Sequence, residues 1–171
     1  MSYTVVAGSY LNKLYGEYKN YINGSVRKNA ANTTLVLADS TALKRGAIRM
    51  SKMPFETSAS EDTDDENEFF YKNFRAFMDT LNNTLDSSSD SSSTDIKKLS
   101  KKIKSLSSDY EDQLSKLGIS IDDSGYWSVD EDTFKGISNK KFEKVFGEDS
   151  EFSKEVKKLA KKIIKHVNTL I

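Results

Sequence analysis

Cysteine is absent from the 171 residues, which excludes disulfides, thiolate zinc sites, iron–sulfur clusters and cysteine nucleophiles. Histidine occurs once, as His166, so His-rich metal sites and most His-centred acid–base schemes are excluded as well. It sits in a Lys-rich helical pattern near the end of the chain and reads as a solvated helix position rather than a member of a triad. Proline also occurs once, at Pro54, and the eight glycines never cluster, so neither a phosphate loop nor a dinucleotide fingerprint can be written. No apolar run approaches the length of a membrane span, about 18 residues. The opening MSYTVVAGSYLNKLY has neither a basic n-region nor a continuous apolar h-region, so no cleaved signal peptide is expected. The expected compartment is cytoplasmic by default, with export by a route that reads no cleaved signal left open.

What remains is polar. Apolar residues make up 36% of the chain, below the roughly 45–50% of average domains, a figure that also counts glycine. The core is therefore expected to be thin and elongated, or confined to part of the chain. Lys+Arg and Asp+Glu are both 26, but they are unevenly placed. Residues 1–53 hold eight basic against two acidic residues, 54–94 two against ten, and 95–171 sixteen against fourteen. The acidic excess is concentrated in ETSASEDTDDENE, Glu56 to Glu68, which reads as a solvated loop.

The expected organisation follows these shifts: a tyrosine-rich N-terminal helical segment at 1–53, an acidic loop at 54–68, and a helix–hairpin–helix bundle at 69–171. In the first segment Tyr10, Leu14, Tyr18 and Tyr21, flanked by Leu11, Tyr15 and Ile22, trace one helical stripe that Asn23-Gly24 ends. The run TTLVLADS then leads to Asp39 or Ser40 as N-cap of a helix ALKRGAIRMSKM, with Leu43, Ala47, Ile48 and Met50 inward and Pro54 beyond its end. Phe70, Phe74, Phe77, Leu81 and Leu85 predict a clearer helix, whose face Phe69 and Met78 widen. DSSSDSSST, residues 86–94, is expected to be a mobile linker.

The strongest periodicity comes next. Ile96, Leu99, Ile103, Leu106, Tyr110, Leu114 and Leu117 form a narrow seam that Gly118 stops, and Phe152, Val156, Leu159, Ile163 and Val167, continued by Leu170, form a second. An intermolecular coiled coil and an intramolecular bundle fit these seams equally well. Between them the period falls to two: Ile119, Ile121, Trp127 and Val129, with Gly125 at the turn, predict a β-hairpin. Asp130 is expected to cap a short helix containing Phe134 and Ile137, and Phe142, Val145 and Phe146 a further turn ending at Gly147. The fold class is thus mainly α, an elongated coiled-coil-like bundle with one small hairpin.

No residue set in this pattern carries catalysis. A calcium loop from Ser120 to Glu131 would have Asp122 third, Ser124 fifth and Glu131 twelfth, with too little negative charge for tight binding. The lysines opposite both seams are interleaved with acids, so a nucleic-acid surface is not expected either. Asp122 and Asp123 sit in a turn, where solvation favours ordinary ionisation. No catalytic residue, metal or cofactor is therefore nominated. A protein partner, or self-association through the helices, is the expected mode of action. A small cytoplasmic helical regulator or ligand-binding bundle, its pocket lined by the tyrosine stripe and the phenylalanines, is the alternative.

One stretch carries a family likeness: Leu114-Ser-Lys-Leu117-Gly118-Ile119-Ser-Ile121-Asp-Asp-Ser-Gly125-Tyr-Trp127-Ser-Val129-Asp130-Glu131. It resembles the C-terminal stalk region of the flagellar filament-capping (hook-associated cap) family, in which a helix ends in Leu-Gly-Ile before a glycine-turned hairpin and an Asp-Glu-capped helix. FFYKNFRAFMDTLNN, 69–83, is similar to the family's preceding helix, with Phe74-Arg75 where the family often has Tyr-Asn. The resemblance spans about residues 69–171 and implies a non-enzymatic structural protein, a short derivative keeping the helical stalk, that acts in assembly at a filament tip.

Overall fold

The computed structural model of the chain describes residues 30–55 and 64–170. The tyrosine stripe and the acidic residues up to 63 lie outside them. Among the described residues are seven helices and one two-stranded antiparallel sheet, so the chain is mainly α with one small hairpin.

The first helix, α1 (Asn32–Ser51), starts well before either expected N-cap. Asp39 and Ser40 are not caps but buried mid-helix residues. Val36, Leu43, Ala47 and Met50 form one buried stripe that runs past them, and the Ser40 hydroxyl donates back to the Val36 carbonyl at 2.6 Å. That bond lets a residue with a taste for caps lie inside a helix. Tertiary burial of the stripe outweighs the weak helix propensity of Thr33, Thr34 and Val36. Ile48, expected inward, is turned out and 37% exposed.

The second helix, α2 (Asp64–Ser89), is 26 residues long, or about 39 Å at 1.5 Å per residue. It begins inside the acidic run, so the expected loop at 54–68 gives way to helix at Asp64; acidic residues suit a first helical turn. Phe70, Phe74, Phe77, Met78, Leu81 and Leu85 are buried. Phe69 lies off that face at 39% exposure. Asn32 Nδ2 donates to the Ser87 carbonyl at 2.9 Å and Arg49 Nε to Asn73 Oδ1 at 2.6 Å, so α1 and α2 run antiparallel.

The serine stretch is no free linker. Residues up to Ser89 belong to α2, and α3 (Thr94–Asp109) starts after a short connection. Ser87, Ser88 and Ser91 are buried. Ser93 caps α3 by accepting the Ile96 amide, and the Ser91 hydroxyl accepts the Ser93 amide at 3.2 Å. Each serine is small enough for helix contact and polar enough to terminate a helix, two properties that composition alone reads as disorder.

The first seam is also not one continuous helix. It breaks at Tyr110, where the amide turns to the Ser107 carbonyl at 3.1 Å, and resumes as α4 (Glu111–Ser115). Tyr110 swings its ring to within 5.2 Å of Phe152. The hairpin pairs β1 (Ile119–Ile121) with β2 (Trp127–Val129) in the register Ile119↔Val129 and Ile121↔Trp127. Gly118 and Gly125 supply its two positive φ values, 72° and 83°. Two short helices follow, α5 (Glu131–Lys135), capped by the Asp130 side chain, and α6 (Asn139–Phe146). The chain then enters α7 (Glu151–Asn168), capped by Ser150.

The long helices form a closed set of four: α1 packs on α2 and α7, and α3 packs on the same two. The segment 1–53, whose relation to the bundle the sequence leaves open, thus contributes α1 to the main core, and α7 is embraced by α1 more extensively than by α3. The hairpin, α5 and α6 close the end where α3 stops and α7 starts. Leu170, expected to extend the second seam, is 55% exposed beyond the last turn.

Leu43 is fully buried on α1. Leu43→Ala is expected to destabilise the whole bundle by about 2–5 kcal/mol, and Ile48→Ala by about 0.5 kcal/mol or less. Urea unfolding followed by circular dichroism checks both; an unchanged midpoint for Leu43→Ala would show that α1 is not part of the cooperative unit.

Candidate interaction surface

The residues proposed as interaction seams end up inside the monomer. Ile96, Leu99, Ile103, Leu114 and Leu117, with Phe152, Val156, Leu159, Ile163 and Val167, are all buried, and Leu106 and Tyr110 are partly buried against the same core. They meet α1, α2 and one another, so no continuous apolar stripe is left on α3 or α7 for another chain.

The hairpin residues converge as expected. Ile119, Gly125 and Trp127 are buried, while Ile121 and Val129 are half-buried on the core. Trp127 lies 5.6 Å from Phe152, 6.2 Å from Phe77 and 6.3 Å from Phe146, centroid to centroid. Its indole Nε1 donates to Ser107 Oγ at 3.1 Å, which satisfies the one polar atom that burial would strand. Gly125 has no room for a Cβ, which would come within 2.9 Å of Lys104 Cγ.

Sequence reasoning missed the residue that holds this hairpin in place. Asn82 on α2 donates from Nδ2 to the Trp127 carbonyl at 2.8 Å and accepts the Trp127 amide on Oδ1 at 2.9 Å. A single side-chain amide thereby does for the edge of β2 what a further strand would do. Nothing in the pattern around Asn82 marks it, because the partner is 45 residues away.

Asp122, the strongest candidate for an oxygen ligand in the turn, accepts the Ser124 and Tyr126 amides at 2.9 and 2.8 Å. Its carboxylate is thus already engaged in shaping the turn. Among the described residues no group of three or more His, Cys, Asp or Glu is placed to hold a metal ion. None of their helices is long and apolar enough to cross a membrane.

A charged knot ties α2 to α5. Lys135 Nζ lies 2.6 Å from Glu68 Oε2 and 2.7 Å from Glu131 Oε1, and Lys72 approaches Glu68 at 3.1 Å. Hydrogen bonds from Lys135 and then Lys72 lower the pKa of Glu68, and those from Lys135 and then the Tyr71 hydroxyl lower that of Glu131. The Lys135 ammonium, held by Glu131 and Glu68, titrates well above its ordinary range. This is a structural clamp at the surface.

A separate surface feature lies where α1 ends and α2 begins. A groove of about 460 Å³ is lined by Arg45, Ile48, Arg49, Lys52, Met53, Pro54 and Phe69. Arg45, Ile48, Arg49 and Lys52 fall at i, i+3, i+4 and i+7, one face of α1 opposite its core stripe. The sequence pattern contains this face, but the expectation that Ile48 pointed inward hid it.

No protein-family model matches the chain, and no curated protein or solved structure is significantly similar to it.

Two outcomes follow from these contacts. Asn82→Ala is expected to cost about 1–3 kcal/mol through the stranded Trp127 backbone groups, and Trp127→Ala about 3–5 kcal/mol, both read by urea unfolding. For the knot, the lowered pKa values of Glu68 and Glu131 make its contribution complete above the ordinary glutamate value of about 4.3. It is lost as the pH falls through their folded values, and the raised Lys135 value makes it fade again only in strong alkali. Lys135→Met should therefore lower the thermal midpoint slightly at neutral pH, and by progressively less as the pH is taken down below the ordinary glutamate value of about 4.3 and the two carboxylates take up protons.

Proposed function

We propose that this chain is a non-enzymatic structural or interaction protein, a rigid helical bundle that presents a binding surface to a protein partner. Its most specific form is an assembly role of the kind that the resemblance to the flagellar filament cap implies. The observation that carries the reading is how the chain uses its polar residues. The buried hydroxyls of Ser40, Thr80, Thr84, Ser107 and Ser153 donate to backbone carbonyls at 2.6–3.1 Å. The ionic knot and Asp122 are likewise engaged in holding the fold. These groups serve architecture, which is what a carrier of a surface requires.

The internal closure of the seams changes how such a protein would assemble. Contact with a partner falls to the outer faces of the helices, because opening the seams would expose the core. The alternative, a ligand-binding bundle, gains nothing from the phenylalanines: Phe70, Phe74, Phe134 and Phe142 pack on one another at centroid distances of 4.4–6.3 Å.

Lysine-reactive cross-linking of the full chain in its source cells is expected to yield discrete protein adducts. Native mass spectrometry of the purified chain is expected to show no retained small molecule. A chain that stays uncrosslinked and carries a bound small molecule would replace this reading with the ligand-binding one.

A further inference from the structure

Large apolar side chains that remain exposed on this bundle are few: Ile48, Phe69 and Leu170 among the described residues. Two of the three, Ile48 and Phe69, line the same groove. Leu170 stands alone at the end of α7. In a chain with only 36% apolar residues, placing an isoleucine and a phenylalanine together at the surface runs against the general economy of the fold. Met53 and Pro54 extend the apolar lining across the end of α1.

The rim is cationic. Arg45 and Lys52 are exposed, and neither forms an ion pair among the described residues. Arg49 is held in place through Nε alone, by Asn73 Oδ1 at 2.6 Å. Asn73 is itself fixed by donating to the Phe69 carbonyl at 2.7 Å. The guanidinium is thus pre-positioned, and its two terminal nitrogens make no bond to a described residue. Glu68, the acid next to Phe69, is drawn off to Lys135 and Lys72 and does not neutralise the rim.

We propose that this groove is a docking site for an acidic peptide segment of a partner protein, one that places a bulky aliphatic or aromatic residue between aspartates and glutamates. The inference rests on the interaction-protein reading above and names the chemistry of the partner. The apolar residue enters between Ile48, Met53, Pro54 and Phe69, and carboxylates pair with Arg45, Arg49 and Lys52. Charge complementarity decides the class: three cations round a small apolar floor match a peptide that carries both features. A volume of about 460 Å³ suits an anchor of one or two side chains. A lipid surface calls instead for apolar side chains that project in a broad stripe.

Fluorescence anisotropy on the full chain tests this. The probes are labelled peptides of about twelve residues, Asp and Glu around a central Leu, Phe or Trp, and the same peptides with Lys in place of the acids. Binding is expected for the acidic set only, weakening as salt rises because the rim is exposed. Arg45→Glu, Lys52→Glu and Phe69→Ser, all at exposed positions, are each expected to weaken it about tenfold or more, the scale of a hot spot. Lys161→Glu, exposed on α7, should leave it unchanged. Circular dichroism confirms that each variant is folded. The proposal is overturned if no acidic peptide binds below about 1 mM, or if binding survives the groove variants. It is equally overturned if the groove variants abolish binding to phosphatidylglycerol vesicles while no peptide binds, or if they change only self-association seen by light scattering. Cross-linked protein adducts that persist in cells with the groove variants would remove the groove assignment alone; loss of all adducts in the native chain would remove the wider reading.

Discussion

The seating of Trp127 is the contact on which the largest number of elements depend. The indole stacks on Phe152 of α7, meets Phe77 of α2 and Phe146 of α6 edge-on, and donates to Ser107 of α3. Its backbone is clamped by Asn82. An isolated two-stranded hairpin is at best marginally stable in water, so β1 and β2 exist because this residue is held from both sides. Once they are held, Gly118 and Gly125 aim the chain from α4 into α5. The aromatic set of Phe70, Phe74, Phe134 and Phe142 then has its third side. Four helices of modest apolar content become a unit because one end is sealed by rings.

Much of this was legible in the sequence, for a definite reason. The hairpin, the Asp130 cap, the phenylalanine stripe of α2 and the inward residues of α7 are all written in local spacing, and local spacing survives folding. What was not legible depends on partners far along the chain. The apolar run read as leading up to a cap at Asp39 or Ser40 becomes the opening of α1, because α1 packs on α2 and α7 and buries Val36. Asn82 matters because Trp127 arrives beside it. Tyr110 interrupts the helix of the first seam and packs its ring on Phe152 of the second. The seam residues were read as the apolar faces of paired helices, between chains or within one, and the helix of the same chain that completes their packing was hidden, since the pattern of α1 is interrupted by Asp39 and Ser40.

The serines show why composition misled most at residues 86–94. Ser87, Ser88, Ser91, Ser100, Ser107 and Ser153 are all buried, several at helix–helix contacts or helix ends. A serine inside a helix answers its hydroxyl with a carbonyl one turn back, as Ser87 and Ser107 do, and then behaves sterically almost as alanine. Ser88 and Ser100 lack even that bond, which makes them the polar atoms whose removal is most readily tolerated. A polar composition therefore conceals a tighter core than the apolar fraction suggests.

Closing both seams within one chain also dictates where a partner can be met. The apolar surface that an open stalk would offer along α3 and α7 is consumed inside the bundle, on α3 by α2 and α7 and on α7 by α1 and α3, and the outer faces of those helices carry lysines paired in places with acids one turn away. Such faces are well solvated and discriminate poorly between partners. The junction of α1 and α2 differs, since there an apolar floor occurs together with cations that form no ion pair among the described residues. Affinity needs the first and selection needs the second. The groove follows from the fold: α1 turns Leu43, Ala47 and Met50 of its core stripe inward beside the groove, and helical geometry then puts Arg45, Ile48, Arg49 and Lys52 on the outer side. The same helix that completes the core thus builds the surface by which the bundle can be recognised.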